Sequence, residues 1–297
     1  MLRFRLLIGS LLIAGFLAIL GLDEWLAPWF PLWFLASLTI MTLAAKEVAD
    51  MLKATSAAPS TNTVLGGCWA ILLANWAPHV LTDDPALGAQ PFKPFLDLAW
   101  PFWTFAFVVM AAFILQAIQF RQPGHTMAKL SGTILAIAYI GALGSFLIQF
   151  RWLEGKHHGL IPLLMLVAAA KGADTGAYTI GRIAGRHKLW PALSPNKTVE
   201  GAIGGLAFAV AAAVLIAMIG AAVLKDHEFF WARTIGFGIL IGWVAQLGDL
   251  MESMIKRDCD TKDASHALPG FGGVLDVLDS MLFAAPVGYA YWLVFWP

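Results

Sequence analysis

The sequence predicts an all-α, polytopic integral membrane protein with about nine transmembrane helices and a cytoplasmic N-terminus. Three observations carry this. First, 59% of the 297 residues are hydrophobic and only 13% are charged, against about 25% charged in soluble domains. Second, the apolar residues gather into runs of about bilayer-spanning length. Third, the short polar loops between the runs divide their basic residues unequally. A lipid-embedded backbone must satisfy its own hydrogen bonds, and helices do so within one segment.

The runs lie at 6–22, 28–45, 64–81, 98–118, 130–150, 159–180, 202–224, 229–250 and 280–296. The first follows Arg3 and Arg5, as a signal peptide would. No A-x-A cleavage site precedes Asp23 and Glu24, so it is expected to stay as a first helix. The second and third runs are interrupted by Pro and Gly and are the weakest. Segment 54–63 is a polar linker, and no internal repeat is visible. Residues 1–150 are read as scaffold helices and 151–297 as the catalytic region. Cys68 sits in an apolar run and Cys259 in a charged loop, so neither a disulfide nor a metal site is expected from them. The net charge of +0 offers no basic field for nucleic acid.

With the N-terminus inside and nine spans, the inner loops hold 13 of the 19 Lys and Arg residues and the outer loops 5, while Lys171 falls within a span. That asymmetry follows the positive-inside rule.

The chemistry is written after residue 170. Lys171, Asp174, Tyr178 and Arg182 lie in or beside an apolar run interrupted by Gly172, Gly176 and Gly181. A charge at bilayer depth costs about 2.5–3.5 kcal/mol, so such groups face a wet cavity or each other; Lys171 and Asp174, at i and i+3, can simply pair. Downstream, Ser194-Pro195-Asn196-Lys197-Thr198 reads as a helix N-cap with Pro at the first helical position. With Arg182, Arg186 and Lys188 it suggests a compact anion site; an ordinary basic loop over acidic lipid heads accounts for it equally well.

The densest stretch is 246–279. Asp249, Glu252, Ser253 and Lys256 recur at helical spacing and share one face. Asp276 and Asp279 do so if a helix starts after Gly273. Two acidic faces joined by a basic, Gly-rich loop suit a hard cation such as Mg²⁺, with Lys and Arg meeting phosphate charge. A solvated loop of salt bridges explains Asp258, Asp260 and Asp263, but not Asp249 and Asp276 beside long apolar runs.

Here the residues resemble a known family. Ser253-Met-Ile-Lys256-Arg257, then Lys262-Asp263, then Leu268-Pro269-Gly-Phe271-Gly272-Gly273-Val-Leu-Asp276 and Asp279 is similar to the signature of CDP-diacylglycerol synthase, or phosphatidate cytidylyltransferase. The segments around Asp174 and from Ser194 to Thr198 resemble the family's other recurring stretches, so the likeness covers about 165–285. Phe271 stands where the family usually has His, and Val277 where it has Arg.

The resemblance implies nine helices in a bacterial inner membrane and a site facing the cytoplasm. It implies CTP and phosphatidate as substrates, CDP-diacylglycerol and pyrophosphate as products, and Mg²⁺ as cofactor. By similarity Asp249 and Asp276 are the expected metal ligands, with Glu252 and Asp279 beside them. Lys256, Arg257, Lys262 and Asp263 are expected in catalysis. Asp174, Ser194, Lys197, Thr198, Gly272 and Gly273 are expected to bind substrate. A second cation such as K⁺ and a homodimer are compatible with it.

Three rivals remain at this stage. An ion-coupled transporter predicts midplane charges and an internal repeat. A CTP-dependent polyprenol or phytol kinase would release CDP instead of pyrophosphate. An inactive lipid-binding homologue would account for Phe271 and Val277.

Overall fold

A computed structural model describes residues 2–81, 93–153, 159–224, 230–268, 270 and 272–296. Two of the five outer-loop basic residues, Lys156 and Lys225, lie outside the described residues, as do Pro269 and Phe271.

The chain divides into two compact units, 1–149 with 258–277, and 150–257 with 278–297. The first holds α1 (Leu2–Asp23), α2 (Pro31–Leu52), α3 (Thr61–Leu81), α4 (Lys93–Gln119), α5 (Thr126–Ala136) and α6 (Leu143–Gln149). A π-helical turn, Ile137–Ala142, joins α5 to α6, so the fifth predicted run is one long, locally widened helix. Pro31 opens α2 at its first position. Both carboxylate oxygens of buried Asp23 accept amides there, from Leu32 at 3.0 Å and Trp33 at 2.8 Å. Farther along, the Trp33 indole donates to the Ile148 carbonyl at 3.1 Å, and buried Asn75 donates to Ser145 Oγ at 2.8 Å. The Asp23 carboxylate, the Trp33 indole and the Asn75 amide N–H thus find partners within these apolar helices, as burial demands.

The second unit holds α7 (Leu160–Ala184) and α8 (Val199–Leu224), joined by a hairpin of β1 (Lys188–Trp190) and β2 (Ser194–Thr198). It also holds most of α9 (Trp231–Asp258) and α10 (Leu275–Phe295). Small residues let α7 and α8 touch at backbone distance: a Cβ on Gly176 would lie 2.6 Å from Phe208 Cβ and 2.7 Å from the Gly204 carbonyl.

Eight helices among the described residues are long and apolar enough to cross a membrane. The third predicted run, 64–81, is the helix Thr61–Leu81. Membrane-spanning helical architecture is therefore the observed fold. The hairpin and an isolated antiparallel bridge between Leu268 and Gly272 depart from the all-helical pattern among the described residues. Cys68 and Cys259 are both buried, free thiols.

Candidate active site

In the second unit, α9 and α10 bring three acids together. One oxygen from each of Asp249, Glu252 and Asp279 lies within 4.8 Å of the others. Asp249 and Glu252 share a face of α9 by their i, i+3 spacing. Gly248 allows α10 to come this close, because a Cβ there would sit 2.7 Å from the Asp279 carbonyl and 2.9 Å from Phe283 Cβ.

Three lysines balance these acids. Lys197 reaches in from β2 and places Nζ 2.7 Å from Asp249 Oδ2. Lys256, one turn beyond Glu252 on α9, pairs with it at 2.5 Å; Glu252 is fully buried. Lys171 on α7 donates to Asp174 Oδ2 at 3.0 Å and to Ser280 Oγ at 3.0 Å, and lies 3.9 Å from Asp279. Ser280 Oγ in turn donates to Asp174 Oδ2 at 3.3 Å. The expected Lys171–Asp174 pair is present, and it extends into the acidic cluster. Buried charges require such compensation. An all-oxygen donor set of this spacing suits a hard divalent ion.

The hairpin differs from the sequence reading. Ser194 and Pro195 lie in β2, not at a helix start. Proline's fixed φ fits the extended strand, and Trp190 pairs opposite Ser194. Thr198 caps α8 instead, its Oγ1 accepting the Gly201 amide at 3.1 Å. Nor do the nearby amides await an external anion: those of Arg186 and His187 donate to the Glu200 carboxylate at 3.0 and 3.2 Å. Arg182 bonds the Tyr178 hydroxyl at 3.0 Å, and Arg186 and Lys188 are exposed. Of the expected anion cluster, only Lys197 turns into the acidic site.

The part of the first unit at 258–277 runs from the end of α9 through a loop into the first turn of α10. Asp276 Oδ2 accepts amides from Gly273 at 2.6 Å and Ala264 at 3.0 Å. The Leu268 and Gly272 amides and carbonyls exchange bonds of 2.8 and 3.0 Å, closing the turn. Gly272 has φ +95, and a Cβ there would lie 2.5 Å from Asp276 Oδ2, so no other residue fits. Lys262 and Asp263 are exposed in this loop, and Arg257 is exposed at the end of α9. Val277 stands in the first turn of α10, its amide donating to the Val274 carbonyl at 3.1 Å.

Sequence reasoning missed Glu47, on α2. Its buried carboxylate accepts from Ser265 Oγ at 2.5 Å, Val274 N at 3.0 Å and Leu275 N at 2.8 Å. Glu47 lies just past the second apolar run, between Lys46 and Asp50, where local spacing gives no sign of its partners. Sequence reasoning missed Ser280 too, which follows Asp279 directly and binds the Lys171–Asp174 pair.

The model of the cytidylyltransferase family matches residues 3–295. Curated relatives align over about half of the chain and span only about half of their own length. The phosphatidate cytidylyltransferase of Staphylococcus saprophyticus is 39% identical over 154 residues, 52% of this chain and 55% of that protein. Those of Staphylococcus aureus and Staphylococcus epidermidis are 38% identical over 154 and 37% over 155 residues, with the same coverage of both chains.

Proposed function

The chain belongs to the cytidylyltransferase family, and from that premise we propose that it transfers the cytidylyl group of CTP to phosphatidate, yielding CDP-diacylglycerol and pyrophosphate. One observation carries the reading: the acids Asp249, Glu252 and Asp279 gathered on two helices, with Lys197, Lys256 and Lys171 among them. The names of the staphylococcal relatives agree with it.

A phosphatidate phosphate oxygen is already a nucleophile, so no base is required. It attacks the α-phosphorus of CTP in line; the new P–O bond forms as the α–β bridge breaks and its electron pair leaves with pyrophosphate. The difficulty is assembling two polyanions, which positioned cations relieve. Asp249, Glu252 and Asp279 are the residues that would hold Mg²⁺; the resemblance assigns Asp276 to the same role. When bound, the ion neutralises phosphate charge and polarises the reacting phosphorus. Lys256, Arg257 and Lys262 stabilise charge on the leaving pyrophosphate, and Asp263 supports them. By the resemblance, Asp174, Ser194, Lys197, Thr198, Gly272 and Gly273 are assigned to substrate binding.

The same reading includes nine spans, a cytoplasmic N-terminus and a site opening to the cytoplasm of a bacterial inner membrane. It includes a second cation such as K⁺ beside the first, and a homodimer. It divides the labour between scaffold helices in 1–150 and a catalytic region in 151–297.

The test is purified protein in detergent with CTP, phosphatidate and MgCl₂, following pyrophosphate and lipid product together. Equal amounts of both, abolished by EDTA, are expected. CDP as the released nucleotide would instead identify a lipid kinase, and no turnover of CTP would sink the reading.

A further inference from the structure

We propose that Glu47 is a positioning residue, setting where α10 begins and thereby how Asp276 is presented. The proposal rests on the cytidylyltransfer reading only where it concerns turnover.

Glu47 Oε1 accepts both Ser265 Oγ and the Val274 amide, and Oε2 accepts the Leu275 amide. The last two are donors at the start of α10, which have no partner within the helix. A local Ser or Asn usually serves such a cap. Here the acceptor comes from 227 residues away in sequence and is a buried carboxylate, an expensive group to bury unless its bonds are complete. The fit leaves no slack: a Cβ on Gly273 would lie 2.6 Å from Oε2 and 2.8 Å from Oε1.

Asp276 follows Leu275 directly, and its own Oδ2 binds back to the Gly273 and Ala264 amides. Two carboxylates therefore grip the same short stretch: Glu47 holds Val274 and Leu275, and Asp276 holds Gly273. Together they fix the rotation of the first turn of α10. Asp279, three residues on, inherits that rotation. Withdrawing Glu47 frees the turn that carries Asp276, one of the four acids assigned to the site, and that precedes Asp279.

Glu47→Gln keeps the volume and puts an amide donor where an acceptor stood. Hydrogen–deuterium exchange on the full chain in detergent reads the grip without reference to activity. Protection at Val274 and Leu275 is expected to fall while amides in the middle of α8 keep theirs. In turnover assays the half-saturating Mg²⁺ concentration is expected to rise about tenfold, as when a group orienting a metal ligand is lost. KM for phosphatidate is expected to stay within about twofold, because remote uniform binding is untouched. A residue needed only for folding would not split these constants.

A double substitution adds a second check. Gly273→Ala alone is expected to lower turnover, and in a Glu47→Ala background it should cost about twofold or less, since the clashing atoms are gone. Unchanged protection in Glu47→Gln would overturn the proposal. So would lost protection with unchanged Mg²⁺ dependence in an active protein. If the wild type shows no turnover, the cytidylyltransfer reading fails, and the exchange result alone decides the role of Glu47.

Discussion

Lys197 Nζ lies 2.7 Å from Asp249 Oδ2, so a residue of the β1–β2 hairpin closes an ion pair with the acid cluster of α9 and α10. A lysine in that position competes with any cation that the acids could take.

Lys197→Met is therefore expected to tighten divalent binding while lowering turnover. Two unit charges about 4 Å apart repel by about 4 kcal/mol at an effective dielectric of 20, and solvent relaxation leaves part of this. A gain of about tenfold, near 1.4 kcal/mol, is expected for Mn²⁺ measured by electron paramagnetic resonance. Unchanged affinity would remove Asp249 from the ligand set.

Asp249→Asn and Asp276→Asn keep shape and remove charge. Each is expected to lower cytidylyltransfer by well over about tenfold. Activity within that factor in both variants would end their assignment as ligands.

The legibility of this site in the sequence follows distance along the chain. Asp249, Glu252 and Lys256 could be read together because helical spacing is local, and the structure pairs Glu252 with Lys256. The helices were legible for the same reason: the apolar runs fall on helices, and α9 continues past its run to Asp258, where Glu252 pairs with Lys256. Ser194-Pro195 misled, since locally it is a good helix start and only the cross-strand partner Trp190 reveals a strand. The π-helical turn at 137–142 has no signal in hydropathy. Glu47 was invisible because its partners lie 218 to 228 residues away.

The Lys256–Glu252 pair predicts an unequal pair of stability effects. Lys256→Met leaves the fully buried Glu252 without its counter-charge and is expected to destabilise by about 3–5 kcal/mol. Adding Glu252→Leu should recover most of that stability, since an apolar pair replaces an ionic one, while turnover stays lost. Denaturation in detergent followed by circular dichroism measures both. A double variant as unstable as the single would contradict the pair's role.

Gly176 tests the α7–α8 seam. Gly176→Ala would push a methyl to within 2.7 Å of the Gly204 carbonyl, and overpacking of this kind costs about 1–3 kcal/mol. A lowered thermal midpoint is expected. Gly66→Ala, within α3 and with nothing within 4 Å of the added Cβ, should not lower the midpoint.

Cys259 supplies a pH signature. Burial, and then the neighbouring Asp258 carboxylate, push its thiol above the ordinary range. Less thiolate is present at a given pH, so alkylation of a Cys68→Ser variant by iodoacetamide should have its midpoint above the value of about 8.5 for a free cysteine. Mass spectrometry of the labelled peptide reads this directly, and a midpoint at or below that of free cysteine would refute it.

The reach from Glu47 to Leu275 also sets an order of events in biosynthesis. The carboxylate emerges from the ribosome 228 residues before the second amide that it will bind. At about 5–20 residues per second that is a wait on the order of 10–45 s, during which water must solvate the end of α2. The early helices thus enter the bilayer with one socket still open, and it is filled only when the final helix arrives. A nascent chain halted before Val274 would carry that acid without the two amides that complete it.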